Sequence, residues 1–155
     1  MTHPACDEVP FGAIVSITNR GRFVFLNSRL KSLGLSAGQF PVLMLLSREQ
    51  NIMQERLVRH YHLDKGTIAR SVKKLEDAGY VRRIVDPDNR RAVRLFLTEK
   101  GERVLPALRA INSEWEERIS EGLTVREREE VSRLMLKVVK NSCHMIQDTG
   151  GEFDD

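Results

Sequence analysis

The sequence predicts a mainly α (α+β) fold, with long helices at both ends of the chain and a small lobe carrying a two-stranded hairpin between them. Three observations predict it. Apolar residues recur at three- and four-residue spacing over most of the length. Two capping-box patterns, Ser36-Ala-Gly-Gln39 and Thr124-Val-Arg-Glu127, mark helix starts. Two strand-like runs, Tyr80 to Asp86 and Ala92 to Leu97, flank the turn-forming stretch from Pro87 to Arg91.

In order along the chain, Phe11, Ile14, Val15, Phe23, Leu26, Leu30 and Leu33 line one helix, and Gly34 stands where it would stop. Gly21 interrupts the pattern. The first capping box then opens a helix from Ser36 to about Leu46, weakened in its first turns by Pro41. Ile52 to Arg59 reads as a short amphipathic helix with Leu57 and Val58 inward, followed by a brief turn from His60 to Leu63. Asp64 is a good N-cap for a helix reaching Ala78, and Gly79 ends it. After the hairpin, Thr98 caps a long helix striped by Val104, Leu108, Ile111, Trp115 and Ile119, which Pro106 should bend without ending. The second capping box opens a last helix with Val131, Leu134, Met135, Val138 and Val139 inward.

Composition narrows the function. The 155 residues are 41% hydrophobic, enough for one ordinary domain with a real core. The longest apolar run, Val42 to Leu46, is far below the ~18 residues of a membrane span. The first ten residues hold acids and no apolar run, unlike a signal peptide, and Cys6 and Cys143 cannot build a disulfide framework. A soluble cytoplasmic protein is expected, without a membrane partner.

The net charge of +3 hides a gradient: residues 1–55 carry +1, residues 56–94 carry +6 and residues 95–155 carry −4. A basic middle attracts a polyanion and an acidic end does not. At 100° per residue, Ile68, Val72, Leu75 and Gly79 fall within about 60° of arc. Arg70 and Lys73 lie on the far side with Gly66 and Asp77, bordered by Lys74 and Thr67. Helix, turn, helix and hairpin in this order is the winged-helix arrangement, whose second helix enters a DNA major groove. The hairpin tip, with Asp86, Asp88, Arg90 and Arg91 and no apolar residue, suits the negative potential of a narrow minor groove. Asp88 is expected to hold one of the arginines by a charge-assisted hydrogen bond.

The run Leu63 to Arg70, then Leu75 to Arg83, Asp86 to Ala92 and Leu97 to Gly101, with Gly38 to Leu43 before them, resembles the MarR family of winged-helix regulators over roughly residues 11–145. The resemblance implies a single domain over 1–155, with a DNA-binding lobe at 36–97 and dimerisation helices at 11–34 and 98–146; the acidic, glycine-containing tail at 147–155 is expected to fray. It implies a homodimer on pseudo-palindromic double-stranded DNA, acting as a transcriptional regulator, expected to be a repressor. By position, Lys65, Thr67, Arg70, Ser71, Lys73 and Lys74 match the recognition helix, and Asp88, Asn89, Arg90 and Arg91 match the wing.

Many members are released by small phenolic or aromatic carboxylate ligands, and Arg20, Arg22, Phe23 and Phe40 are the candidate lining of such a site. The family's hydroperoxide sensors use an N-terminal cysteine beside tyrosines. Here Cys6 is that cysteine, but Tyr61 and Tyr80 both fall in the DNA-binding lobe, which favours a passive thiol. His60 with His62, Cys143 with His144, and His3 with Cys6 lack the spacing of a zinc site. No Gly-rich phosphate loop, nucleophile elbow or metal motif is present, so neither catalysis nor a cofactor is expected. The alternatives are a thiol-based redox regulator of the same family and a winged helix used only for protein contact.

Overall fold

The structure, a computed structural model, describes residues 9–148, and the chain divides into two compact units, residues 1–37 and 38–155. In the first unit, α1 (Phe11–Leu30) runs through Gly21 without a break. Its end tightens into a 3-10 turn at Lys31–Leu33, and Gly34 closes it at φ +66° with its N–H donated to the Lys31 carbonyl. The expected helix start at Ser36 does not form. The N–H of Ala37 is donated to Asn27 Oδ1 at 2.8 Å, which ties this segment back onto α1, and residues 37–39 make a turn instead.

The second unit opens with α2 (Phe40–Leu46), which starts four residues later than the capping box suggested. Pro41 sits in its first turn, where a missing N–H costs nothing. Five of its seven residues are buried. The expected helix over Ile52–Arg59 is corrected at both ends. Ile52–Met53 form a strand, β1, and α3 spans Gln54–Tyr61. The cause is pairing with the hairpin: Ile52 lies opposite Leu95, and Met53 opposite Arg94. A two-residue strand carries no periodicity, so only the tertiary partner reveals it.

His62, in the left-handed region at φ 50°, closes α3. α4 (Lys65–Asp77) follows its Asp64 cap, with Ile68, Val72 and Leu75 buried as expected. β2 (Val81–Val85) and β3 (Val93–Leu97) pair antiparallel, Arg83 opposite Leu95, and the sheet order is β1-β3-β2. α3, α4 and this sheet close around Leu43, Leu46, Leu57, Ile68, Leu75 and Leu95, each under 2% exposed.

α5 (Glu99–Ile119) starts at the Thr98 cap and contains Pro106 without ending there. Val104, Leu105 and Leu108 join the core, and Gly101 is buried against the Tyr80 backbone. α6 (Val125–Asp148) starts at the predicted capping box: the Thr124 N–H donates to Glu127 Oε2 at 2.8 Å, and the Glu127 N–H donates to Thr124 Oγ1. The Thr124 N–H, helped by the Thr124 hydroxyl, which also donates to Glu127 Oε2, holds the Glu127 carboxyl below the usual carboxylate range. The inward stripe expected on α6 is not buried: none of its 24 residues is, and Val131, Leu134 and Val139 are about half exposed. An acidic tail at 147–155 was expected to fray. Gln147 and Asp148 instead complete α6, and residues 149–155 lie outside the described residues.

Candidate nucleic-acid interface

The first turn of α4 is built by its own side chains. Asp64 Oδ1 accepts the Thr67 N–H at 2.7 Å, and the Thr67 hydroxyl donates to Asp64 Oδ2. These bonds hold the Asp64 carboxyl below its ordinary range. Arg70 donates to Thr67 Oγ1 at 3.1 Å. It folds back toward the helix start over Gly66, where a Cβ would stand 3.3 Å from a guanidinium nitrogen. The glycine therefore leaves room for an arginine that lies along the helix N-terminus, where free N–H groups already favour an anion.

Lys65, Arg70, Lys73 and Lys74 are all exposed, and Thr67 is half-buried. Lys73 is paired with Asp77 at 3.1 Å. Among the described residues, neither Lys65 nor Lys74 has a carboxylate partner. Ser71 is a correction. It is 9% exposed and faces the core. The helix period explains it, since Ser71 lies only about 60° from Ile68 and so beside the apolar stripe.

The wing is organised by a residue outside the expected set. Asp86 is 8% exposed and accepts the Asp88 N–H on Oδ1 at 2.9 Å and the Arg94 Nε–H on Oδ2 at 2.8 Å. Its own N–H and carbonyl bond Ala92 and Asn89, and Asn89 Oδ1 accepts the Arg91 N–H. Arg94 holds the Asp86 carboxyl down, helped by the Asp88 N–H. The clasp expected between Asp88 and a tip arginine is not seen; the acid that holds an arginine here is Asp86, and the arginine is Arg94 of β3. The Asp86-Pro-Asp88 spacing, an acid two residues ahead of an N–H it can accept, is the signal that marks it. Asp88, Asn89, Arg90 and Arg91 are all exposed at the tip. Arg90 and Arg91 have no carboxylate partner among the described residues.

Of the residues expected to line an effector site, Phe40 is 3% exposed, a core residue of α2. On α1, Phe23 and Arg20 are exposed and Arg22 is half-buried. Cys6 and His3 lie outside the described residues. Cys143 Sγ lies 3.2 Å from His62 Nε2, at the turn ahead of α4. Among the described residues no group of three or more His, Cys, Asp or Glu could hold a metal ion, and no helix is long and apolar enough to cross a membrane.

Comparison with known proteins agrees with this geometry. The MarR family model matches residues 35–93, the stretch from Leu35 to the start of β3. The HTH-type transcriptional regulator YybA of Bacillus subtilis is 36% identical over 115 residues, covering 74% of this chain and 77% of its own. A MarR transcriptional regulator of Methanosarcina mazei is 37% identical with a TM-score of 0.80, over 86% of this chain and 96% of that one. A MarR family regulator of Listeria monocytogenes, solved in complex with a 26mer DNA, is 26% identical with a TM-score of 0.83, over 95% and 99% of the two chains. A family model on the recognition lobe, and relatives above 30% identity that are matched over most of their length, place this chain in the MarR family of winged-helix transcriptional regulators.

Proposed function

We propose that the chain binds double-stranded DNA sequence-specifically as a homodimer in the cytoplasm, on a pseudo-palindromic operator, and acts as a repressor. The observation that carries this reading is the pair of exposed basic surfaces: on α4 Lys65 and Lys74, which no carboxylate pairs among the described residues, beside Arg70, and on the wing Arg90 and Arg91. Cations left without internal partners are what phosphate contacts require. Arg70, stacked along the start of α4, is the candidate for base-edge or phosphate contact, and Arg90 for the minor groove. The uncovered apolar stripe of α6 supports the homodimer, since a 24-residue helix with no buried residue finds its cover in a second copy. Two-fold symmetry then sets the half-sites about one helical turn, roughly 34 Å, apart.

The test is fluorescence anisotropy with the intergenic segment beside the protein's own gene, against an equal-length scrambled duplex. A preference of ~10³ or more supports a sequence-specific regulator. Affinity should also fall steeply with salt, with a log–log slope of about −0.9 per neutralised phosphate. No binding at low salt overturns the DNA reading in favour of a protein-contact module.

A further inference from the structure

The first turn of α4 carries a chain of three polar side chains that capping alone does not require. The cap is complete once Asp64 Oδ1 accepts the Thr67 N–H. The other carboxylate oxygen, Oδ2, accepts the Thr67 hydroxyl proton as well. A hydroxyl has one proton, so Thr67 Oγ1 meets its next partner only as an acceptor. That partner is Arg70, whose Nη2 donates to Oγ1 at 3.1 Å. Asp64 thereby decides which way the Thr67 lone pairs point, and Thr67 decides where the guanidinium lies.

Two further features favour this arrangement. Gly66 lies beside it: a Cβ there would stand 3.2 Å from Asp64 Oδ1 and 3.3 Å from Arg70 Nη1, closer than ordinary contact. The positive end of a helix also repels a guanidinium, and the Asp64 carboxylate offsets that repulsion. An exposed arginine is thus tied to the helix start. Thr67 takes one of the two Nη2 hydrogens. Whichever it takes, one two-pronged edge of the guanidinium stays intact, either Nη1 with Nη2 or Nε with Nη2. Two parallel N–H groups are what guanine O6 and N7 accept in the major groove.

We infer that Asp64 and Thr67 are positioning residues for base readout: they hold Arg70 so that its free edge reads a guanine in each half-site. They set specificity more than affinity, because an arginine already ordered pays less to make a directional contact. This inference deepens the DNA-binding reading and rests on it.

The full-length protein is titrated by fluorescence anisotropy on the intergenic segment, on the scrambled duplex, and on copies of the segment carrying each single base-pair change. The unaltered protein should lose about tenfold or more in affinity when one particular G·C pair per half-site is replaced. Thr67→Val keeps the shape, loses the hydroxyl and leaves the capping N–H in place. It should lower affinity for the segment about fivefold or more, leave the scrambled duplex within about twofold, and flatten the preference at that pair. Thr67→Ser should restore it. Arg70→Lys keeps the charge without the fork and should lose the same preference while still binding the scrambled duplex. Combining Thr67→Val with Arg70→Lys should do no more than either alone. Equal losses on both duplexes with Thr67→Val, additive effects in the double variant, or an unaltered preference at every G·C pair overturns the positioning role and leaves the DNA reading standing. Binding of neither duplex by the unaltered protein overturns the DNA reading. A second measurement needs no DNA: ¹⁵N relaxation at Arg70 Nε–H should show an ordered side chain that Thr67→Val sets free. Equal order in the two proteins overturns the positioning role by itself.

Discussion

Gly101 shows how one residue without a side chain joins two elements. It is buried in the first turn of α5, and a Cβ there would run into the Tyr80 carbonyl. That carbonyl already accepts the Thr98 N–H, and the Thr98 hydroxyl in turn accepts the Gly101 N–H. Backbone cannot give way as a flexible side chain does, so Gly101→Ala should cost about 1–3 kcal/mol and lower the melting temperature by several degrees in calorimetry. Asp86 acts at the same scale on the wing. Its carboxyl is held down in the folded protein, chiefly by Arg94. The stability it adds is therefore present above the unfolded carboxyl value of about 3.9 and is lost as pH falls through that value toward the lower folded one. Denaturation midpoints between about pH 5 and 2.5 should show this acid-side loss, and Asp86→Asn should flatten it. The same variant should weaken DNA binding while leaving the helical dichroism intact.

At the scale of elements, α4 and the wing divide the work proposed for them. α4 is stiffened by its Asp64 cap and by burial of Ile68, Val72 and Leu75, so its outer cations are displayed on a rigid rod. The wing has no apolar anchor at its tip and depends on the Asp86 clasp. Arg90→Ala should leave fold and dimer unchanged yet reduce operator affinity measurably in anisotropy; unchanged affinity would remove the wing from the interface. Lys74→Ala should weaken specific and scrambled duplexes alike and lower the salt slope by about 1, the signature of a phosphate contact. Most of these elements were legible in the sequence, because caps and turns act through residues one to four apart. Asp64 with Thr67, Thr98 with Gly101 and Thr124 with Glu127 all formed where the sequence placed them. The helix expected from Ser36 starts instead at Phe40, after a turn over residues 37–39 whose Ala37 N–H is donated to Asn27, ten residues away.

For the whole molecule the outstanding feature is apolar surface that one copy of the chain leaves bare. On α6, Val131, Leu134, Met135, Leu136 and Val139 are all at least 37% exposed over two helical turns. The proposed homodimer would cover this helix, which is amphipathic by sequence yet buried nowhere, and isolated helices gain little on their own. Leu134→Glu is expected to convert the dimer to monomer in sedimentation velocity, and to abolish cooperative binding to a two-half-site duplex with it. A dimer that survives this variant would move the interface off α6.

Local signals alone determined most of the helices, the hairpin and the basic outer face of α4, because each depends on spacing within a few residues, and the motif runs carried the family resemblance. Tertiary structure decided the rest. It made Ile52–Met53 a strand by supplying β3, turned Phe40 and Ser71 into core, and gave Asp86 rather than Asp88 the arginine. It also left Gln54 Oε1 buried without a partner. Each of these depends on which surface meets a residue from far along the chain. Periodicity and composition do not encode that meeting, because it is set by how whole elements pack.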